Sequence, residues 1–222
     1  MKKVIKQLQN VDFQVSNILE IYKQATDNEI NGGKLWYNQA NEISRLMSIK
    51  YNLTIYQAVG IIAALSPATS WSQNIIDSNH FCSSLAAGKN IKAVVVTTYG
   101  NNKDKAYFIY LHSELTKDEI FKVLLGSSKK VNKTSSFFLN ILSPESDDIV
   151  TIDRHAFRVN LGITELIDIT LTEKRYKLMS QAYIKASNIL EVNALQLQAV
   201  TWLVFRRLYV TIRNKQFEES PF

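Results

Sequence analysis

The chain has 222 residues, 46% hydrophobic and 21% charged, enough to bury the core of one domain or of two small lobes. It has no low-complexity tract, which argues against a disordered chain, and its lone Cys82 excludes an internal disulfide. The formal net charge of +6 and an isoelectric point near 9.2 are compatible with a polyanionic partner.

One cysteine and three dispersed histidines give no zinc or iron–sulfur spacing, so neither a metal nor another cofactor is expected. The basic start MKKVIKQLQN lacks the apolar run of a signal peptide, and no stretch approaches a membrane span in length. A cytoplasmic, reducing location without membrane attachment is the expectation.

With only 7 Gly and 3 Pro, long helices are favoured over hairpins. Val11, Val15, Ile18, Leu19 and Tyr22 recur at helical spacing over 11–25, as do Leu35, Ala40, Ile43 and Leu46 over 34–50. Thr54 and Gln57 stand at capping-box spacing before an apolar run that ends at Ser66-Pro67 and predicts a central, buried helix. Ser70 and Gln73 repeat the spacing and open a helix over 71–87 that stops at Gly88. Thr116 and Glu119 open another, closed by Gly126. Residues 131–143 read as a helix that ends before Pro144, and the polar loop SPESDD leads to a helix from Asp153 to Leu161. Two long helices follow over 172–190 and 194–213, the second capped by Asn193. Strand-like β-branching is confined to IKAVVVTT (91–98) and DIVTI (148–152). The expectation is an all-α protein of about ten helices.

Two residues carry the functional question. Lys133 stands just inside a helix start, where the positive end of the helix dipole disfavours an extra cation. Lys129 and Lys130 add to that charge, so the setting favours the neutral amine that a nucleophile needs. Asp153 follows the apolar approach Ile149-Val150-Thr151-Ile152 at the mouth of the next helix. Its carboxylate suits orienting an amine, accepting a proton, or offsetting positive charge on a substrate. The alternative is a solvated lysine and a plain helix cap.

The blocks Lys133-Thr-Ser-Ser-Phe-Phe-Leu-Asn-Ile and Val150-Thr-Ile-Asp153-Arg-His155-Ala-Phe157-Arg158-Val159 resemble the helix-hairpin-helix DNA glycosylase superfamily, endonuclease III-like members in particular. Lys133 matches that family's lysine nucleophile and Asp153 its catalytic aspartate. Upstream, Ala63-Ala64-Leu65-Ser66, Ala68-Thr69 and Asn74 are similar to its helix that ends in a Leu-Ser turn, and Tyr99 with Lys103 and Lys105 to its tyrosine-and-lysine helix start. Leu65-Ser66-Pro67, Asp153-Arg154-His155 and Gln198-Ala199-Val200-Thr201-Trp202 look like a divergent phage- or plasmid-encoded branch. The hairpin Gly126-Ser127-Ser128-Lys129-Lys130-Val131-Asn132 departs from the family pattern in having one glycine instead of two.

The resemblance implies a monomeric two-lobed glycosylase with a degenerate helix-hairpin-helix and a cleft between the lobes. A central lobe would span about 54–145, with its hairpin near 120–135, and a second lobe 1–53 plus 150–222. The partner would be duplex DNA carrying a damaged or modified base. That base would be flipped out and excised with Schiff-base (AP lyase) chemistry at Lys133. Gly126, Ser127, Ser128, Lys129, Lys130 and the C-terminal arginines would hold phosphates. Ser66, Trp71, Gln73, Asn74, Asn140 and His155 are the wedge or pocket candidates. Each also has a plainer role open: partial burial for Trp71, satisfying a buried backbone group for Asn74 and Asn140, and orienting the Asp153 turn for His155. Trp202 lies on an apolar stripe and reads as core. A non-catalytic nucleic-acid-binding or host-factor-binding protein on the same helical fold is the competing expectation.

Overall fold

The structure is a computed structural model, and it describes residues 9–127, 129–146, 149–164 and 171–210. Ten α-helices are present among the described residues: α1 (Val11–Tyr22), α2 (Asp27–Tyr51), α3 (Ile55–Leu65), α4 (Trp71–Ala86), α5 (Gly100–Leu111), α6 (Lys117–Leu125), α7 (Lys133–Leu142), α8 (Arg154–Leu161), α9 (Glu173–Leu190) and α10 (Ala194–Phe205). A 3-10 turn covers Ile91–Ala93, and a π-helical turn, Arg206–Val210, continues α10. The protein is all-α, with no strand among the described residues.

The helix starts follow capping chemistry. Thr54 and Thr116 each close a reciprocal box, with Gln57 and Glu119 respectively. The helix predicted from residue 34 begins at Asp27, because Thr26 and Glu29 also exchange capping bonds, Thr26 N–H donating to Glu29 Oε2 at 2.9 Å. The pair Gly32-Gly33 hides this start from a reading by propensity. The β-branched run 91–98 forms no ladder because side chains take its backbone groups instead. Lys103 Nζ donates to Ile91 O and Val94 O, and Thr97 N–H donates to Asp77 Oδ2.

The chain divides into two compact units, one of residues 38–143 and one of residues 1–37 with 144–222. The first is built around α3. Residues 58–65 of this helix have no exposed surface among their apolar side chains, and α4, α5, α6 and α7 all pack on it. Phe81, Ile109, Ile120, Leu124, Phe138 and Ile141 close that core, each worth roughly 1.5–3 kcal/mol of burial. Gly60 permits the approach of α6: a Cβ there would lie 2.8 Å from Ile120 Cγ2. Gln57 continues past its cap and donates from Nε2 to Ile109 O and Tyr110 O at the end of α5. Burial also pushes the Cys82 thiol up to about 12, so this cysteine is a packing residue with little thiolate character.

The second unit packs α1, α8, α9 and α10 together. Ile18, Met179, Tyr183, Leu195, Leu197, Val204 and Phe205 form its interior. Gly33 lets the first part of α2 press against α10, where a Cβ would lie 2.7 Å from the Val200 backbone nitrogen. Two buried phenols are satisfied inside this core: Tyr37 donates to Gln198 Oε1 at 2.9 Å, and Tyr183 pairs with Thr201 Oγ1 at 3.1 Å.

Candidate active site

Lys133 is the first residue of α7. The turn before it is shaped by Asn132, whose Oδ1 accepts from Ser135 N–H while Ser135 Oγ accepts from Asn132 N–H. The amide of the same side chain donates to Leu124 O, Leu125 O and Lys130 O. One asparagine therefore ties the end of α6 to the start of α7. Gly126 sits at φ +70° in that turn, against Lys105, whose Nζ donates to Leu124 O at 3.1 Å. Burial holds the Lys105 ammonium below its usual range. Lys129 and Lys130 project as exposed side chains, Ser127 is exposed, and Ser128 lies outside the described residues.

The half-buried Lys133 side chain crosses to the C-terminal end of α3, where Nζ donates to Ser66 O at 3.3 Å. Ser66 is buried, and its hydroxyl donates back to Ala63 O. Trp71 stands half-buried at the start of α4 with its ring edge-on to Phe137 of α7, the centroids 6.2 Å apart. Gln73 donates to Asp77 Oδ1 at 2.7 Å. Asn74 is buried; its amide donates to Ile62 O, and its Oδ1 has no partner among the described residues. Asn140 is buried on α7. Thus the unit of residues 38–143 gathers Ser66, Trp71, Gln73, Asn74, Lys133, Asn140 and the hairpin.

Asp153 and His155 belong to the other unit. Asp153 caps α8: Oδ1 accepts from His155 N–H at 2.9 Å and from Ala156 N–H at 2.8 Å. Its Oδ2 accepts from the indole Nε1–H of Trp202 at 3.2 Å. The carboxylate thus has three donors, two supplied by its own helix and one from α10. His155 lies edge-on to the Trp202 ring at 5.9 Å and tilted over Phe205 at 5.7 Å. Its Nδ1 is buried without a hydrogen-bond partner among the described residues. Burial holds this imidazole below its usual value. Asp153 opposes that effect, and the charges of Arg158, Arg206 and Arg154 reinforce it.

Three contributors around these residues take contacts that the sequence did not assign to them. Asn132 carries a signal, since Ser135 three residues on stands at box spacing. Trp202 reads as core from its stripe, yet it is half-buried and presents its N–H to a carboxylate. Arg206 lies over the Trp202 ring, its guanidinium carbon 4.7 Å from the centroid. The neighbouring Arg207 is engaged otherwise: Nε and Nη2 donate to the two oxygens of Glu29, and Nη2 also donates to Gln24 O. This pairing holds the Glu29 carboxyl below the usual carboxylate range. Arg213 and Lys215 lie outside the described residues.

Among the described residues, no three His, Cys, Asp or Glu side chains converge as a metal site would require, and no helix is long and apolar enough to cross a membrane. These features define a helical protein with two capped helix starts that carry its chemistry-bearing residues. The model of a family of unknown function, DUF7178, matches residues 1–209, and the chain belongs to that family. Neither a curated protein nor a solved structure matches it.

Proposed function

We propose that this protein is a DNA glycosylase that excises a damaged or modified base from a flipped nucleotide, with Schiff-base chemistry at Lys133. The observation that supports this reading is the bond from Lys133 Nζ to Ser66 O. It joins the start of α7 to the end of α3, two of the places where the sequence carries the glycosylase resemblance upstream of Asp153. In this reading, the Lys133 amine, in its neutral form, adds its electron pair to the sugar C1′. The C1′–N bond breaks, its electrons leave with the base, and the base takes up a proton. Asp153 accepts the proton released from the new ammonium and offsets charge on the sugar. Opening of the C1′–O4′ bond, with protonation of O4′, leaves the protonated C1′=N imine. Loss of a C2′ proton then expels the 3′ phosphate. Metal participation is not required by any of these steps.

The test is to incubate the chain with abasic duplex, and with duplexes carrying a panel of modified bases, in the presence of borohydride. A covalent complex is expected, because hydride reduces the imine to a stable amine, and Lys133→Gln abolishes it. No trapped complex on any substrate overturns the lyase chemistry. Free base released without trapping, and lost in Asp153→Asn, reduces the reading to a monofunctional glycosylase.

A second reading follows from the three donors on Asp153, which are those of a structural helix cap. It makes the protein a non-catalytic nucleic-acid-binding or host-factor-binding module. Salt-sensitive DNA binding weakened by loss of Lys129 and Lys130, indifferent to Lys133→Gln and without base release, is its signature.

A further inference from the structure

We propose that Arg154 and Arg206 form a phosphodiester-binding site flanking Asp153, which takes the backbone of the DNA strand bearing the target nucleotide. The inference rests on the reading of this protein as one that acts on DNA; among the C-terminal arginines it selects Arg206 over Arg207, and it adds Arg154. Both side chains are exposed, and neither has an acid or other hydrogen-bond acceptor among the described residues. Their placement is nonetheless set by the fold. Trp202 donates to Asp153 Oδ2, and Arg206 lies on the Trp202 ring, so a single side chain separates this guanidinium from the carboxylate. Arg154 is the residue directly after Asp153, at the first position of α8.

A third guanidinium, Arg158, lies 6.0 Å from the centre of the Phe205 ring, and His155 contacts both Phe205 and Trp202. The convergence has an electrostatic signature as well: all three arginines weigh against a proton on His155. Among the described residues, Asp153 is the carboxylate that acts on His155 against these three arginines, and it is already occupied by two backbone N–H groups and the indole.

A guanidinium held over an indole face is partly ordered in advance, which reduces the ordering cost of binding an anion. Arg207, the next residue in sequence, is withdrawn from this role by its bidentate pair with Glu29. The chemistry of the ligand follows from the position. A nucleotide whose C1′ is addressed by Asp153 carries its own 5′ and 3′ phosphodiesters beside that carbon. Cations beside the carboxylate are therefore suited to those phosphates. They fix the register of the strand without reading its sequence.

The test is a fluorescence-anisotropy titration of the full chain with a duplex containing a stable abasic-site analogue, over a series of salt concentrations. Arg154→Ala and Arg206→Ala are each expected to reduce the slope of log K against log salt by about 1, and to weaken binding about threefold to tenfold, alike for all sequences. Arg206→Lys, which keeps the charge but loses the guanidinium over the indole, is expected to keep the slope and weaken binding less. Arg207→Ala should leave the slope unchanged. An Arg154→Ala/Arg206→Ala double variant that binds with the wild-type slope overturns the site. Slope loss without base release on any substrate keeps the phosphodiester site and discards the glycosylase. Base release with an unaltered slope does the reverse.

Discussion

Two helix starts carry the chemistry-bearing residues, and they are built in opposite ways. At α7 the cap is neutral Asn132, and the bonds it makes stay within residues 124–136. At α8 the cap is the carboxylate of Asp153, and its outer oxygen depends on Trp202, 49 residues away. The asparagine needs both halves of its amide, an acceptor for the new helix and donors for the old one. The aspartate needs acceptors only. A cap that closes a hairpin therefore demands an amide, whereas a cap that faces an indole demands a carboxylate.

Exchanging the two chemistries breaks this contrast. The largest effect is expected for Asn132→Ala, which removes the cap of α7 and leaves the Leu124 and Leu125 carbonyls without their amide donor. About 2 kcal/mol should be lost in urea denaturation, chiefly the cap, since Leu124 O keeps Lys105 Nζ as a donor. Asn132→Asp keeps the acceptor and removes the donors, and about half of that loss is expected in the same measurement.

At the other start, Trp202→Phe keeps the ring and withdraws the N–H from Asp153. The expected cost is about 1 kcal/mol, since the carboxylate is only part-buried and water replaces the indole in part. A double-mutant cycle with Asp153→Ala should return most of that figure as coupling energy. Additive losses would mean that the bond contributes nothing to stability.

The smallest effect concerns pH. His155 binds its proton less readily when folded, so its contribution is complete above its unfolded value of about 6.5 and declines as pH falls below it. Comparing urea midpoints at pH 7 and pH 5 should show a drop for the wild type that is reduced in His155→Gln. The Glu29 contribution, whose carboxyl is held low by Arg207, is lost only at more acid pH and does not overlap this window. An identical drop in both proteins would show that His155 is not the titrating group.

The helices were legible where caps and periodicity agreed. Thr54 with Gln57 and Thr116 with Glu119 mark their helices in sequence and form the expected bonds. Ser70 caps α4 as its spacing suggests, but Gln73 turns instead to Asp77, because that carboxylate also anchors the loop at Thr97. The segment 91–98 misleads for a related reason: β-branching records a preference for extended backbone, while Lys103 and Asp77 decide what that backbone bonds to. Lys103 and Lys105, basic enough in sequence to suggest a nucleic-acid contact, have their ammonium groups on helix-terminal and loop carbonyls.

Local order in the chain by itself determined that this protein is all-α, where most helices begin and end, and that Lys133 and Asp153 stand at two of the helix starts. These are properties of neighbours a few positions apart, and hydrogen-bond capping and 3.6-residue periodicity read them directly. Tertiary structure alone decided that Lys133 reaches Ser66 O, that Trp202 serves a carboxylate, and that Arg206 lies over an indole while Arg207 pairs with Glu29. Each of these depends on helices distant in sequence meeting at a particular face, and the pattern of any one helix does not contain the position of its partner.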